Sequence, residues 1–506
     1  MNKVLRTVFQ QKNSNKLIIL GFTLLYLLFP TNNSTIDAYN YAANVKWNHD
    51  LFFPHHLIYN IPARIVYSFF QVFGFEIDVL QLMKIINALV AGFVLYVFVR
   101  ILKRLSFANK TITGLLLISG SSFGFLRFAT ENEAYILPLF MSVLASYHFL
   151  LFINNQRVLQ IVLSGMFASL ACLFHQIHVF WFVGLLIGLL MYKVETKLIF
   201  LFILPGLFIP LVYFLAFRFG NNDFMHTNNF ITFVLYDYSY GSARVNFNIN
   251  NLILGVINLV RSFIQVHGII LILLKKIPVL IVAILFTVFF LLKALLNLKP
   301  IIKSRELNRS FLISHLIIFA LQFAFSVFAG GNAEFMVMLP ILSLLVVAGY
   351  VKINYKFYIN LGISIFIWNL SFAIIPNYML DYNNDKRLIE FIEIQADDYF
   401  ILSEDVLIQN RIYYHTSVPW NKHIIKSPAG YKINGKDQSE LCSKIDLLLN
   451  ANSKVYTDCI DEPIIYNRAT YLSANENKDF FKDYLLLKTD SFRTFTGRKY
   501  IYKIKK

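Results

Sequence analysis

Long apolar runs separated by short polar segments fill the first three quarters of the chain. A straight membrane-spanning helix needs about 20 predominantly apolar residues, and tilting or burial in a bundle accommodates shorter ones. Eleven runs are candidates: Leu17–Pro30, Val79–Leu102, Thr111–Phe128, Ala134–Ile153, Val158–Phe174, Val179–Met191, Leu198–Phe217, Ile277–Leu298, Phe311–Ala329, Phe335–Val351 and Phe357–Ile375. The pattern predicts an all-α polytopic membrane bundle with about 11 transmembrane helices.

The pattern changes near residue 377. Short β-rich runs then alternate with two helix-like stretches, which is typical of a small α/β domain. The runs are Tyr399–Leu402, Val455–Thr457, Tyr484–Lys488 and Lys499–Ile504, and the stretches are Lys386–Ile394 and Ser439–Asn450. We therefore predict a membrane domain over residues 1–376, with long external loops 31–78 and 218–276, and an α/β domain over residues 377–506.

The composition is that of a membrane protein. Of the 506 residues, 57% are hydrophobic and 15% are charged, whereas a soluble chain carries roughly 25% charged residues. In a soluble protein the formal net charge of +17 would indicate nucleic-acid binding. Here 27 basic and 11 acidic residues precede Tyr378, against 19 and 18 from there onward. The basic excess therefore belongs to the membrane domain, and nucleic acid is not an expected partner.

The positions of these charges predict the topology. With the N-terminus in the cytoplasm, 18 of the 27 basic residues fall in cytoplasmic segments and nine of the 11 acidic ones fall outside. Basic loops prefer the cytoplasmic side, so the α/β domain is expected to be extracytoplasmic. The first run is interpreted as a retained anchor, with a secretory signal peptide as the alternative. Frequent Asn, Lys, Ile and Phe are typical of an AT-rich genome and indicate a bacterial inner membrane.

The predicted spans contain almost no charged residues, which disfavours a channel or carrier and places a site in the external loops. In loop 31–78, Asp37 follows the first run by seven residues, and Pro54-His55-His56 comes later. A carboxylate beside lipid headgroups, with His and Arg nearby, suits proton abstraction next to an anionic lipid-linked substrate. The spacing alone nevertheless favours Asp37 as a helix N-cap. Segment 250–276 combines apolar residues with several basic ones, which predicts a helix at the membrane interface.

Four external segments together carry a family resemblance. They are Asp37 with Pro54-His55-His56, FLRFATENEAYILPLF, LACLFHQIHVFW and GGNAEFMVMLP. This set resembles the polyprenyl-phosphate-sugar-dependent glycosyltransferases of the GT-C superfamily, nearest to the protein O-mannosyltransferase-like and aminoarabinose-transferase-like families. The resemblance covers roughly residues 17–375. The chain departs from the family pattern in having Pro54-His55-His56 in place of His-Pro-Pro, and Met336 where a basic residue is common.

The resemblance implies inverting transfer of one sugar from a polyprenyl-phosphate carrier to an extracytoplasmic acceptor, which is a protein, a glycolipid or a glycan. It implies Asp37 as the catalytic base, with Glu133 or Glu131 positioning the acceptor or orienting Asp37. The implied ligands of the carrier phosphate are His55, His56, Arg64, Lys84, Arg127, Arg244 and Arg261. Each of these cations is equally suited to anchoring the chain at lipid headgroups.

No cofactor is expected. The pairs His49/Asp50 and His55/His56 could ligate a divalent metal ion, but no second motif completes a ligand set. Cys442 and Cys459 both fall in the α/β domain, and the sequence leaves open whether they form a disulfide. Two other functions remain: an envelope polysaccharide polymerase or ligase that relies on Arg and His, and a non-catalytic sugar-lipid transporter or scaffold.

Overall fold

The computed structural model describes residues 2–220, 229–240, 248–266, 268–302, 308–433, 436–460 and 468–506. The chain divides into two compact units. We call the first the membrane unit; it comprises Met1–Thr31, Asn44–Val266 and Val279–Pro376. We call the second the α/β unit; it comprises Asn32–Ala43, His267–Pro278 and Asn377–Lys506. The first turns of the helix that carries Asp37 therefore group with the α/β unit.

Each of the eleven predicted apolar runs coincides with helical structure. The helices of the first three quarters of the chain are α1 Asn2–Leu28, α2 Ile36–Trp47, α3 Asn60–Val72, α4 Val79–Arg104, α5 Asn109–Ser121, α6 Phe123–Ala129, α7 Ile136–Asn155, α8 Val158–Phe174, α9 Val179–Met191, α10 Thr196–Ile203, α11 Phe208–Phe219, α12 Phe230–Val234, α13 Tyr236–Tyr240, α14 Ile249–Arg261, α15 Ile269–Lys276, α16 Leu280–Leu296, α17 Arg309–Phe328, α18 Leu339–Tyr350, α19 Tyr355–Asn369 and α20 Ile375–Met379. Two short strands, β1 Ile301–Ile302 and β2 Val351–Lys352, pair antiparallel.

Five described helical segments are long and apolar enough to cross a membrane: Val79–Arg104, Ile136–Asn155, Thr196–Phe219, Arg309–Phe328 and Tyr355–Met379. The bent pair of α5 and α6 makes a sixth if it is one span. The other apolar runs form helices of 10–17 residues, which need tilt or local thinning of the bilayer to cross it. A bundle of eleven spans therefore stays a prediction.

The bend between α5 and α6 measures 63° and interrupts a run that the sequence presents as one helix. Backbone groups released by a break inside a bilayer must find other partners. Here the Asn369 Nδ2 donates to the Ser121 carbonyl at 2.7 Å, and the Gly124 amide donates to the Ser262 carbonyl at 2.9 Å. The first bond joins the end of α5 to α19, and the second joins the start of α6 to the segment that follows α14.

A series of hydrogen bonds connects α7, α9 and α17 inside the bundle. The Trp181 Nε1–H donates to Ser146 Oγ at 2.8 Å, and Ser146 Oγ lies 2.8 Å from His315 Nε2. The other nitrogen of His315, Nδ1, lies 2.7 Å from the Phe311 carbonyl, which only accepts. Nδ1 must then carry the proton, and Nε2 accepts from Ser146. Each side-chain polar atom of this series is satisfied, as interhelical hydrogen bonds in an apolar bundle require.

The α/β unit is built on a five-stranded sheet in the order β4-β3-β5-β7-β6. Its strands are β3 Tyr399–Leu402, β4 Ile424–Lys426, β5 Val455–Thr457, β6 Leu485–Arg493 and β7 Arg498–Lys505. Its helices after residue 380 are α21 Asp385–Ile394, α22 Asp405–Thr416, α23 Pro428–Ile433, α24 Gln438–Asn450 and α25 Arg468–Phe481. The β3, β4 and β5 strands are parallel, and β7 pairs antiparallel with β5 and β6. The four predicted β-rich runs are strands, and the three-residue β4 was missed.

The cysteines are free thiols. Cys459 is buried, and its Sγ donates to the Ile401 carbonyl at 3.5 Å. Burial raises the pKa of the Cys459 thiol well above its ordinary value, so the thiol stays protonated. The disulfide to Cys442 that the sequence left open is therefore not formed in this structure.

Candidate active site

Lys84, near the start of α4, is buried rather than extended toward lipid headgroups. Its side chain is 3% exposed, and its Nζ donates to the Thr31 carbonyl at 2.7 Å. The same Nζ lies 4.0 Å from the Glu131 Oε1, and Glu131 is 2% exposed. The expectation that Lys84 reaches up to the membrane surface is therefore wrong, because the fold offers this ammonium a carbonyl and a carboxylate inside the membrane unit.

The Glu131–Glu133 turn between α6 and α7 is held from two sides. The Asn87 Nδ2 donates to the carbonyls of Glu131 at 2.8 Å and of Glu133 at 2.9 Å. The Tyr59 hydroxyl donates to Asn132 Oδ1 at 2.7 Å. Burial, and after it the charge of Glu133, raises the pKa of the Tyr59 phenol, so Tyr59 remains a neutral donor. Both carboxylates are at most 3% exposed, which is unusual for acids of a loop.

Arg127 of α6 and Arg261 at the end of α14 are neighbours in the membrane unit. Their elements are joined by the bond between Gly124 and Ser262, and both side chains are half-buried. Burial, and after it the charge of Arg127, lowers the pKa of the Arg261 guanidinium. One Arg261 nitrogen, Nη1, donates to Asn258 Oδ1 at 2.9 Å. Two guanidinium groups that repel each other form a site that an anion would stabilise.

The segments that carry the family resemblance in the membrane unit come together around Tyr135. Its hydroxyl donates to Glu334 Oε2 at 3.3 Å. Its ring centroid lies 5.3 Å from His175 and 6.4 Å from His56, and the two histidine rings are 4.2 Å apart. The Phe335 ring also belongs to this cluster, with its centroid 6.3 Å from that of His175. Four stretches far apart in sequence therefore share one neighbourhood.

The histidines of this cluster are neutral. Burial, followed by the rings of His175 and His55, lowers the pKa of His56 well below 6.5. Burial and the ring of His178 likewise lower the pKa of His175, whose Nδ1 accepts from the Ile177 amide at 3.3 Å. His56 could donate a hydrogen bond to a phosphate but supplies no positive charge.

Arg64, Arg244 and Asp37 complete the set of predicted site residues. The Arg64 Nη1 donates to the Val45 carbonyl at 2.9 Å and so ties α3 to the last turn of α2. Arg244 lies outside the described residues. Asp37 lies in the α/β unit, in the first turn of α2, with an exposed side chain. The N-cap is Thr35, whose Oγ1 accepts from the Ala38 amide at 3.1 Å, so Asp37 is not the cap.

A small cavity opens beside the Asn87 network. Its volume of about 190 Å³ includes open solvent, and its lining residues are Tyr59, Pro62, Ala63, Met83, Ile86, Asn87 and Leu137. The lining is mostly apolar. Within the described part of the chain, Asn87 Oδ1 is buried without a hydrogen-bond partner, so the cavity also offers one acceptor. Over the same residues, no group of three His, Cys, Asp or Glu side chains is arranged to hold a metal ion.

Comparison with known proteins gives matches of fold only. No family model and no curated protein sequence matches the chain. Among solved structures, the chain is similar to ArnT and to an archaeal oligosaccharyltransferase. ArnT from Cupriavidus metallidurans in the apo state is 10% identical with a TM-score of 0.42, and the match covers 96% of this chain and 97% of that one. ArnT bound to undecaprenyl phosphate is 11% identical, with the same TM-score and coverage.

A third similar structure is the archaeal oligosaccharyltransferase AglB from Archaeoglobus fulgidus, in complex with an inhibitory peptide and a dolichol-phosphate. It is 13% identical with a TM-score of 0.49, and the match covers 97% of this chain and 74% of that one. At this level of similarity, the roles of individual residues have to be inferred from the site itself.

Three residues of the site were not predicted to belong to it: Asn87, Tyr59 and Asn132. Asn87 carried a usable signal, because an amide inside a predominantly apolar span is costly unless it has partners. Tyr59 and Asn132 stand among several similar polar residues of their loops, and nothing in the sequence pairs them. Their hydrogen bond depends on how two distant loops pack.

Replacing Lys84 by Met is expected to destabilise the membrane unit by about 3–5 kcal/mol, because Glu131 would be left as a buried, uncompensated charge. The measurement is the free energy of unfolding in mixed micelles. The double variant Lys84→Met/Glu131→Gln removes both charges and is expected to recover most of the loss. Equal stability of the two variants would show that the pair is not coupled.

Acidification is expected to destabilise the cluster that contains His56 and His175. In the unfolded chain both imidazoles bind protons below about pH 6.5, while the folded state keeps them neutral. Their stabilising contribution is therefore complete above that pH and is lost as the pH falls through it, by up to about 1.4 kcal/mol per pH unit for each group. Thermal unfolding between about pH 7.5 and pH 5 measures the slope.

The matched variant for this measurement is His175→Asn. The Asn side chain can still accept from the Ile177 amide but does not titrate, so the slope should become shallower while stability at neutral pH changes little. An unchanged slope would mean that other groups cause the acid sensitivity.

Proposed function

We propose that this chain is a GT-C-type glycosyltransferase that moves a sugar from a polyprenyl-phosphate carrier to an extracytoplasmic acceptor. The observation that carries the proposal is the pairing of Arg127 with Arg261 at one end of the helices of a membrane protein. Such a pair suits the phosphate of a lipid-anchored substrate, because a guanidinium binds phosphate oxygens through two parallel hydrogen bonds. Buried Glu131 and Glu133 follow Arg127 closely in the chain.

The chemistry assigns a role to each group. The acceptor oxygen forms a bond to the anomeric carbon while the bond from that carbon to the carrier phosphate breaks. Arg127 and Arg261 would stabilise the negative charge that develops on the leaving phosphate. A base must take the acceptor proton from the opposite face of the sugar for inversion to result. Asp37 is the proposed base.

Other residues would support this reaction. The neutral rings of His55 and His56 would donate hydrogen bonds to the phosphate. Glu133 or Glu131 would bind acceptor hydroxyl groups or orient the base. None of these steps needs a metal ion.

The test is a screen of the full chain, purified in detergent, against polyprenyl-phosphate sugars that differ in the sugar. Hydrolysis or transfer of one donor is expected, with loss in the Arg127→Gln/Arg261→Gln variant. Repeated addition to one acceptor would instead identify a polysaccharide polymerase. Movement of the sugar lipid across reconstituted vesicles without a new glycosidic bond would identify a transporter.

We also infer the orientation, with a cytoplasmic N-terminus and an extracytoplasmic α/β unit in a bacterial inner membrane. The charge distribution supports it. Reporter fusions after Lys506 should be active only when the reporter works outside the cytoplasm. A fusion after residue 306, within the predicted cytoplasmic cluster of basic residues, should give the opposite result.

A further inference from the structure

The helix that carries Asp37 is anchored within the α/β unit. Residues 32–43 group with residues 377–506, and Ala38, Tyr39 and Tyr41 are buried. The Asp37 side chain itself is exposed. An exposed carboxylate on the first turn of a helix takes its position from the backbone of that helix. The contacts that hold α2 therefore decide where the carboxylate lies.

The first anchor lies four residues before Asp37. The Asn33 Nδ2 donates to the carbonyls of Asn377 at 3.0 Å and of Leu380 at 2.7 Å, and its Oδ1 accepts from the Tyr382 amide at 3.0 Å. Both donors and the acceptor of this amide are thus used. A side chain bonded to three backbone groups has one allowed position, and it fixes the entry into α2.

The second anchor is α22, which contacts the first turn of α2 directly. The Asn410 Nδ2 donates to the Ile36 carbonyl at 3.0 Å. The Arg411 guanidinium lies over the Tyr39 ring with its carbon 5.0 Å from the centroid. The Tyr414 ring lies 6.2 Å from the Tyr39 ring at 65°. Ile36 and Tyr39 flank Asp37, so α22 holds the backbone on both sides of it.

We propose that Asn33, Asn410 and Arg411 are positioning residues for the proposed catalytic base, Asp37. This inference rests on the proposed function. Transfer depends steeply on the distance from base to acceptor, and a shift of about 1 Å can cost about a hundredfold in rate. Loosening α2 would therefore lower turnover and leave donor binding unaffected.

The experiment measures kcat and the donor KM for Asn33→Ala, Asn410→Ala and Arg411→Lys in the full chain. Arg411→Lys is the mild variant, because Lys keeps a charge near Asp385, the 2.9 Å partner of Arg411, but loses the planar stacking on Tyr39. We expect kcat to fall about 10- to 100-fold, with the donor KM within about twofold of wild type. An anchor variant that is folded, as judged by its melting temperature, and retains the wild-type kcat would overturn the inference.

Matched controls come from the same unit. Asn384→Ala removes an amide that donates to the Arg493 carbonyl, and Lys432→Gln removes an ion pair with Glu476. Both should keep kcat near wild type. If they lower kcat as much as the anchor variants do, the effect is a general loss of stability and the positioning role is wrong.

A double-mutant cycle with Asp37→Glu separates positioning from structure. The longer side chain of that variant would carry the same carboxylate about one bond farther out. Asp37→Glu and an anchor substitution would therefore displace the same carboxylate. Their effects on kcat should be coupled, and the combined loss should fall short of the product of the single losses by at least about fivefold. If the loss of kcat in the double variant equals the product of the single losses, the positioning role is wrong. If Asp37→Asn retains full activity, the proposed base is wrong, whatever the anchor variants do.

Discussion

Replacing Asp37 by Asn should lower turnover by about 10²- to 10⁴-fold, the contribution typical of a positioned general base. The amide has the size of the carboxylate but cannot accept the proton of an acceptor hydroxyl. Thr35 supplies the N-cap of α2, so the substitution leaves that cap in place and should keep the melting temperature within a few degrees of wild type. The measurement is kcat with saturating donor and acceptor. The donor KM should not change.

The matched control is Asp78→Asn. Asp78 also begins a helix, and its side chain accepts from the Gln81 amide at 3.0 Å, so it is a structural cap. This variant should lose at most about 1 kcal/mol of stability and retain its turnover. Full activity of Asp37→Asn would rule out Asp37 as the base and would favour a polymerase or ligase mechanism built on Arg and His.

The second large effect is expected for donor binding. Removing the guanidinium of Arg261 or of Arg127 by substitution with Gln should weaken the affinity for polyprenyl phosphate by about 10- to 100-fold, because each loses charge-assisted hydrogen bonds worth about 1.5–3 kcal/mol. The affinity of Arg261→Lys should fall between that of the Gln variant and that of wild type. Lys keeps the positive charge but cannot donate the two parallel hydrogen bonds of a guanidinium. Titration with polyprenyl phosphate that lacks a sugar measures this binding separately from catalysis.

Arg218→Gln is the control for nonspecific attraction to anionic lipids. Arg218 lies at the end of α11 and is exposed. Its loss should change the affinity less than about twofold, as expected for a solvated cation. If all three arginines contribute equally, the phosphate is attracted by general positive charge, and the paired site is wrong.

Sequence patterns predicted the helices well because burial in a bilayer demands continuous apolar runs. The run Thr111–Phe128 shows the limit. It contains no proline, yet the helix breaks at Ser122, because Asn369 and the segment after α14 supply partners for the released backbone groups. Those partners come from far along the chain. No local pattern can reveal them.

The candidate site also has features that the sequence predicts and features that it does not. The residue types were predictable: a carboxylate after the first span and arginines in external loops are what a phosphate-sugar reaction needs. Their environments were not. The spacing favoured Asp37 as an N-cap, but Thr35, two residues earlier, takes that position. Lys84 and Glu131 would each appear solvated in isolation, and only the packing of α4 against the turn after α6 buries them together.

The hydrogen bonds of Asn33 also set an order of events during synthesis. Its partners, Asn377, Leu380 and Tyr382, leave the ribosome some 350 residues after Asn33 itself. In the orientation proposed above, the loop that carries Asp37 would by then be translocated but would lack these anchors. The membrane helices can insert and pack while the chain is still being made, whereas the proposed base would take its place only when the last quarter has folded. Chains truncated after the final membrane helix would thus accumulate in the membrane as inactive protein.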